Sequence, residues 1–153
     1  MKTMIHAAEI TVSYQPKTGW NKQPTIKSSQ DAYRVLKEFY DDQTIGLAES
    51  FWVLYLSYSN QVKGAYHLSS GGLTGTVADI RLILGTGLKV MASGIILSHN
   101  HPSGNLKPSS IDRELTGRIA NAAKLMDMKL LDHLILSPAE DQYYSFAESG
   151  ELF

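Results

Sequence analysis

Cysteine is absent from the 153-residue chain. No disulfide framework can form, which fits a reducing compartment. Its absence also removes every metal scheme built on thiolates, including the nucleobase deaminase set. An excess of one charge is missing too. Lys and Arg number 14 against 15 Asp and Glu, a net charge of −1, so bulk composition does not announce a nucleic-acid binder. No apolar run approaches the roughly 20 residues that a membrane span requires. The opening residues MKTMIHAAEI lack an apolar stretch of signal-peptide length. A cytoplasmic protein with no membrane segment is the expectation. Internal repeats and low-complexity tracts are missing as well. What the chain does have is 43% hydrophobic residues, enough at this length for one proper core.

Ala8, Ile10, Val12 and Tyr14 alternate over 6–14 and predict a strand. Residues 15–27 are polar, broken by Pro16, Gly19 and Pro24, and read as an arm. The expected division is therefore an N-terminal strand and arm over 1–27 and a main domain over 28–153. Ser28 and Ser29 offer an N-cap, and Ala32, Val35, Leu36 and Phe39 recur at helical spacing over 29–41. The stretch 50–58 (SFWVLYLSY) is aromatic and β-branched, and 62–69 returns after a turn, so a hairpin is predicted. A helix follows from Thr76, with Val77, Ile80, Leu84 and Leu88 in its stripe and Gly85 and Gly87 permitting close approach to a sheet. Residues 93–98 form a short buried strand. A helix over 109–127 carries Ile111, Leu115, Ile119, Ala122 and Met126, with Asp112 beside that stripe. Strands over 128–136 and 142–146 close the chain. The class is mixed, α/β or α+β, with a sheet between helices.

The stretch His99-Asn100-His101, with the turn through Pro102, Gly104 and Pro108, stands at the end of the 93–98 strand. Residues two apart in an extended chain point to one side, so both imidazoles aim at one place. Asp112, in the first turn of the next helix, can be swung back to them by the turn. Two imidazoles and a carboxylate form the three-ligand set of a catalytic zinc site with a fourth position open to water. Taken singly, each residue has a plainer reading. A lone histidine is more often solvated or hydrogen-bonded, and Asp112 could favour the helix dipole or pair with Ser109 as a cap.

His-x-His, seven residues, then Ser-x-x-Asp resembles the JAMM motif of the JAB/MPN metalloproteases. The stretches SHNHPSGNLKPSSID and LLDHLIL resemble more narrowly the RadC branch, over roughly residues 28 to 153. The resemblance implies a single JAB/MPN-like domain with a curved mixed sheet flanked by helices. It implies Zn²⁺ on His99, His101 and Asp112, with an upstream glutamate as general base. Glu49, before the aromatic strand, occupies that place. Glu38 lies on a polar helix face, Glu9 in the arm, and Glu114 points elsewhere on its helix. Apart from the resemblance, Glu49 reads equally as a solvated residue opening a strand. Ser109 is the helix N-cap on the plain reading. The resemblance makes it the hydrogen-bond donor to the oxyanion, with Ser110 available as the cap. Asp132-His133 is read as supporting or structural, since adjacent strand side chains face opposite ways. His67 is read as hydrogen-bonded or half-exposed.

The expected activity is zinc-dependent hydrolysis of a peptide or isopeptide bond, with a peptide or protein-conjugate substrate. The rival expectation is a DNA-repair-associated nucleic-acid factor or metal nuclease. It would draw on Lys63, Arg81, Lys89, Lys107, Arg113 and Arg118, whose clustering sequence does not reveal. An inert interaction module that has kept the fold is a third reading. Oligomeric state is not legible.

Overall fold

The computed structural model describes residues 8, 10, 11, 19, 22–71 and 78–152. The predicted strand over 6–14 falls largely outside these residues, as do Thr76 and Val77 of the second predicted helix.

Helix α1 (Ser29–Lys37) starts where Ser28 accepts the Asp31 N–H. Its inner face is Ala32, Tyr33 and Leu36. The helix ends short of residue 41. Tyr40 leaves the helical path and is buried, with its hydroxyl 2.9 Å from Ser98 Oγ on the sheet. Strands β1 (Ser50–Leu56) and β2 (Val62–Ser70) form the expected antiparallel hairpin. Helix α2 (Ile80–Lys89) is capped by Asp79. It buries Ile83 and Gly87, while Leu88 is half exposed. A Cβ on Gly87 would lie 2.8 Å from Met128 Sδ and 3.2 Å from Tyr55 Cε1. That glycine is where the helix comes close to the sheet.

Strand β3 (Gly94–Asn100) is buried throughout. Helix α3 (Ser110–Leu125) and strands β4 (Lys129–Leu136) and β5 (Tyr143–Ser145) complete a sheet of order β2-β1-β3-β4-β5. The β3–β4 pair is parallel and the other pairs are antiparallel. Connecting parallel strands through α3 is the standard crossover solution. This is the mixed sheet between helices that the sequence predicts.

The two faces of the sheet carry two apolar clusters. Leu54, Leu56, Ile96 and Leu134 pack with Ala32 and Leu36 of α1. Val53, Tyr55, Ile95 and Leu97 pack on the other face with Ile83 of α2 and Ile119, Ala120 and Ala123 of α3. The buried face of α3 is therefore Thr116, Ile119, Ala120 and Ala123. The predicted stripe was rotated from this, since Ile111 is 73% exposed and Met126 45% exposed. Asp112 precedes Thr116 by one turn and so lies on the buried face itself.

Candidate metal centre

Four consecutive residues of β3 decide the site. Leu97 and His99 face α3, while Ser98 and Asn100 face α1, because strand side chains alternate. His101, two beyond His99, continues the α3 side. Asp112 arrives from the first turn of α3. His99 Nε2 lies 3.0 Å from His101 Nε2 and 3.3 Å from Asp112 Oδ1. His101 Nε2 is 3.6 Å from Asp112 Oδ2. Among the described residues, these three form the group of His, Asp and Glu able to hold a metal ion, with one ligand atom each, all within 4.8 Å.

The local chain fixes each ligand. Asp112 Oδ2 accepts the Ser109 N–H at 2.7 Å while Ser109 Oγ accepts the Asp112 N–H at 3.1 Å. This is a capping box, and it leaves Oδ1 turned to His99. Ser109 is thus the N-cap, and Ser110 is the first residue of the helix rather than the cap. The cap uses a lone pair of Ser109 Oγ and leaves its hydroxyl proton to spare, so capping and donation to an oxyanion are compatible.

His101 Nδ1 is 2.5 Å from the Asn105 carbonyl. A carbonyl only accepts, so Nδ1 carries the hydrogen and Nε2 presents a lone pair to the site. Gly104 has φ 79°, a left-handed conformation that lets the turn bring Asn105 round to His101. The ring of Phe51 lies parallel to that of His99, centroids 5.9 Å apart.

Electrostatics agrees with a cation-seeking site. Burial would raise the Asp112 carboxyl, but the two imidazoles that face it, His101 and His99, outweigh this and hold it well below the usual carboxylate range. The hydrogen bond to Asp112 raises His101 against the opposing effect of its burial, and the nearby Glu49 carboxylate adds to the rise. Two nitrogens 3.0 Å apart beside a carboxylate require a positive occupant between them, a proton or a metal ion. The donor set, two imidazoles and one carboxylate, fits zinc.

Glu49 immediately precedes the neighbouring strand β1. Phe51 pairs with His99 at the end of the β1–β3 ladder, and Glu49, two residues before Phe51, is close enough for its charge to act on His101. Glu49, His101 and Ser109 line one open depression of about 410 Å³, together with Leu47, Asn105 and Lys107. His99 and Asp112 adjoin the depression through their contacts with His101 and Ser109.

Sequence reasoning missed Asn100. It is fully buried, and its Nδ2 donates to the Ile45 and Ala48 carbonyls at 2.7 and 2.9 Å. Its Oδ1 accepts the Ser50 N–H at 2.7 Å. Together with the Gly71 N–H on the Glu49 carbonyl at 2.9 Å, it fixes the peptides on both sides of Glu49. The available signal was a polar residue inside a buried strand, which must find partners. Asn100→Ala is expected to cost about 2 kcal/mol or more, since it strands one buried and two part-buried backbone groups. Urea unfolding of the variant beside wild type measures this.

His133 was read only as supporting or structural. It lies on the His99 side of β4, its Nε2 2.8 Å from His99 Nδ1. Burial, with His99 adding to it, holds His133 well below the ordinary imidazole value. Its neighbour Asp132 faces the opposite side, where Ser145 Oγ donates to it at 2.6 Å and the Ala147 N–H at 3.0 Å. That pair divides between the faces as strand alternation predicts. His67 lies exposed on β2, 3.0 Å from Ser70 Oγ, as its plain reading expects.

Among the described residues, no helix is long and apolar enough to cross a membrane. A family model described as RadC-like JAB domain matches residues 26–151. Proteins called UPF0758 are similar over most of the chain. One from Flavobacterium johnsoniae is 43% identical over 129 residues, 84% of this chain and 54% of its own length. One from Porphyromonas gingivalis is 40% identical over 137 residues, 90% of this chain and 59% of its own. One from Aquifex aeolicus is 37% identical over 134 residues, 88% of this chain and 55% of its own. The chain thus spans little more than half the length of these curated relatives. By the family match, by these relatives and by its mixed sheet, the chain belongs to the RadC-like JAB domain family.

Proposed function

We propose that this domain is a zinc-dependent hydrolase that cuts a peptide or isopeptide bond. One observation carries the reading: the ligand atoms of His99, His101 and Asp112 converge at a depression that Glu49 also lines. These three residues would hold a zinc ion, which would supply Lewis acidity and make a water at the open position more acidic, toward a pKa of about 7.

The remaining work falls to the chain. Glu49, which lines the depression with His101, takes a proton from the attacking water and delivers it to the leaving amine. Ser109 donates a hydrogen bond from its spare hydroxyl hydrogen to the carbonyl oxygen as charge develops there. The capping box holds Ser109 and Asp112 as one rigid unit, so donor and ligand keep their spacing. The depression suits an extended backbone. Leu47 is 70% exposed on its rim and offers an apolar contact, while Asn105 and Lys107 offer polar ones.

The nucleic-acid reading has less support around the site. Of the six basic residues it would draw on, Lys107 lines the depression. Arg81 is bound to Asp79 at 2.8 Å, Arg113 to Glu151 at 2.7 Å, and Lys63 Nζ donates to the Val90 carbonyl at 2.9 Å. The test is a panel of peptides and ubiquitin-like conjugates run beside single- and double-stranded DNA, with and without zinc. Zinc-dependent cleavage of a member of the peptide or conjugate set is expected, with weak, salt-sensitive DNA binding. Zinc-dependent DNA cleavage with no peptide cut would replace this reading with the nuclease one.

A further inference from the structure

Behind His99, on the side away from the depression, lie two fully buried polar side chains, Thr116 and His133. Thr116 Oγ1 is 2.6 Å from the Asp112 carbonyl oxygen and 2.7 Å from His133 Nδ1. His133 Nε2 is 2.8 Å from His99 Nδ1. The direction of these three hydrogen bonds is determined. A carbonyl oxygen only accepts, and two oxygens 2.6 Å apart need a hydrogen between them. The single proton of the Thr116 hydroxyl therefore goes to the Asp112 carbonyl. Thr116 Oγ1 then accepts from His133, so His133 Nδ1 carries the hydrogen. A neutral imidazole carries a single ring hydrogen. His133 Nε2 is left as an acceptor and takes the Nδ1 hydrogen of His99. His99 ends with a bare Nε2, aimed at His101 and Asp112.

We propose that Thr116 and His133 act as positioning residues whose hydrogen-bond direction locks His99 in the one neutral tautomer able to ligate a metal. Run the other way, the same chain would put a hydrogen on His99 Nε2, in the place of the ion. The helix that delivers Asp112 thereby also sets the protonated nitrogen of its fellow ligand. A ligand histidine oriented by a partner on its second nitrogen is a general device. Here the partner is itself an imidazole, so its direction needs the threonine to fix it.

The proposal rests on the metal reading of the site, but its first test needs no metal. Long-range proton–nitrogen correlation spectra of the chelator-treated chain, above the histidine titration range, report which ring nitrogen is protonated. His99 and His133 are both expected as Nδ1–H. An Nε2–H signal as the main form of either ring overturns the relay, whether or not the protein binds zinc. The second test is Thr116→Val, which keeps shape and removes the hydroxyl. Zinc affinity, measured by competition with a chromophoric chelator, is expected to fall about tenfold or more, with Nε2–H forms appearing on both rings. Thr116→Ser is expected to restore affinity and tautomer. Wild-type affinity in a folded Thr116→Val overturns the proposal. Should that variant not fold, the wild-type spectrum decides. Absence of zinc binding in wild type with both rings as Nδ1–H would remove the metal reading and leave the relay standing.

Discussion

Glu49→Gln is expected to keep the zinc and the fold while hydrolysis falls by about 10²–10⁴-fold. Glutamine preserves the length and shape of the side chain but takes no proton at neutral pH. Glu49 immediately precedes β1, and the three converging ligand atoms belong to other segments, so the ligand set is untouched. The Glu49 backbone is held from outside the side chain, by Gly71 below and Asn100 beside it. Its replacement therefore moves no main chain. Removing its negative charge also takes away one contribution that raises His101, which eases proton competition for that nitrogen. Zinc content by elemental analysis and the midpoint of thermal unfolding are thus expected to match wild type. Release of zinc by Glu49→Gln would make Glu49 a ligand and end its assignment as base.

Replacing both His99 and His101 by Ala is expected to take zinc from near one per chain to near none in protein purified without chelator. Two of the three ligand atoms are lost, and the remaining carboxylate keeps only its capping role. Undiminished zinc in that double variant would end the site assignment. Acid should act on wild type in the same direction, because proton and metal compete for one lone pair. The hydrogen bond to Asp112 raises His101, so release begins above the ordinary imidazole value of about 6.5. The sign reverses for stability once zinc is chelated. A raised His101 stabilises the folded chain below its ordinary value, and that contribution is lost as pH rises through the raised one. The lowered Asp112 contributes above its ordinary value of 3.8, and its share is lost only as pH falls through the depressed one. The pair is therefore complete between roughly pH 4 and 6.5. Melting curves are expected to show the zinc-loaded protein losing stability from pH 7 to 6 and the chelated protein gaining it. Parallel curves would mean that His101 is not the competing group.

Much of this was legible in the sequence because the site is local. His99 and His101 follow from strand alternation, and Asp112 from the length of the turn. Three features resisted for physical reasons. The inner face of α3 contains a threonine, which hydropathy assigns to solvent. Ile111 and Met126 were therefore given the core, although Thr116 holds it through hydrogen bonds. In β4 a bulge intervenes: Ile95 pairs with Leu130 and Ile96 with Asp132. A simple count of two from Leu130 puts Asp132 on the metal side. The extra residue, Leu131, turns His133 there instead. Asn100 lies between the two histidines yet works on the opposite face, holding a loop distant in sequence. No local pattern encodes that contact.

The parallel β3–α3–β4 unit has a consequence for how such a domain changes over generations. It carries the candidate ligands His99, His101 and Asp112 and, behind them, Thr116 and His133. The proposed base comes from the residue just before the hairpin strand next door. Selection can therefore act on the two separately. A lineage relieved of the need for cleavage would lose Glu49 by a single substitution and still inherit an intact ion-binding core. Drift in the opposite order is costly, because the supports of the ion are also the packing between α3 and the sheet. In this architecture catalysis is easier to discard than the metal.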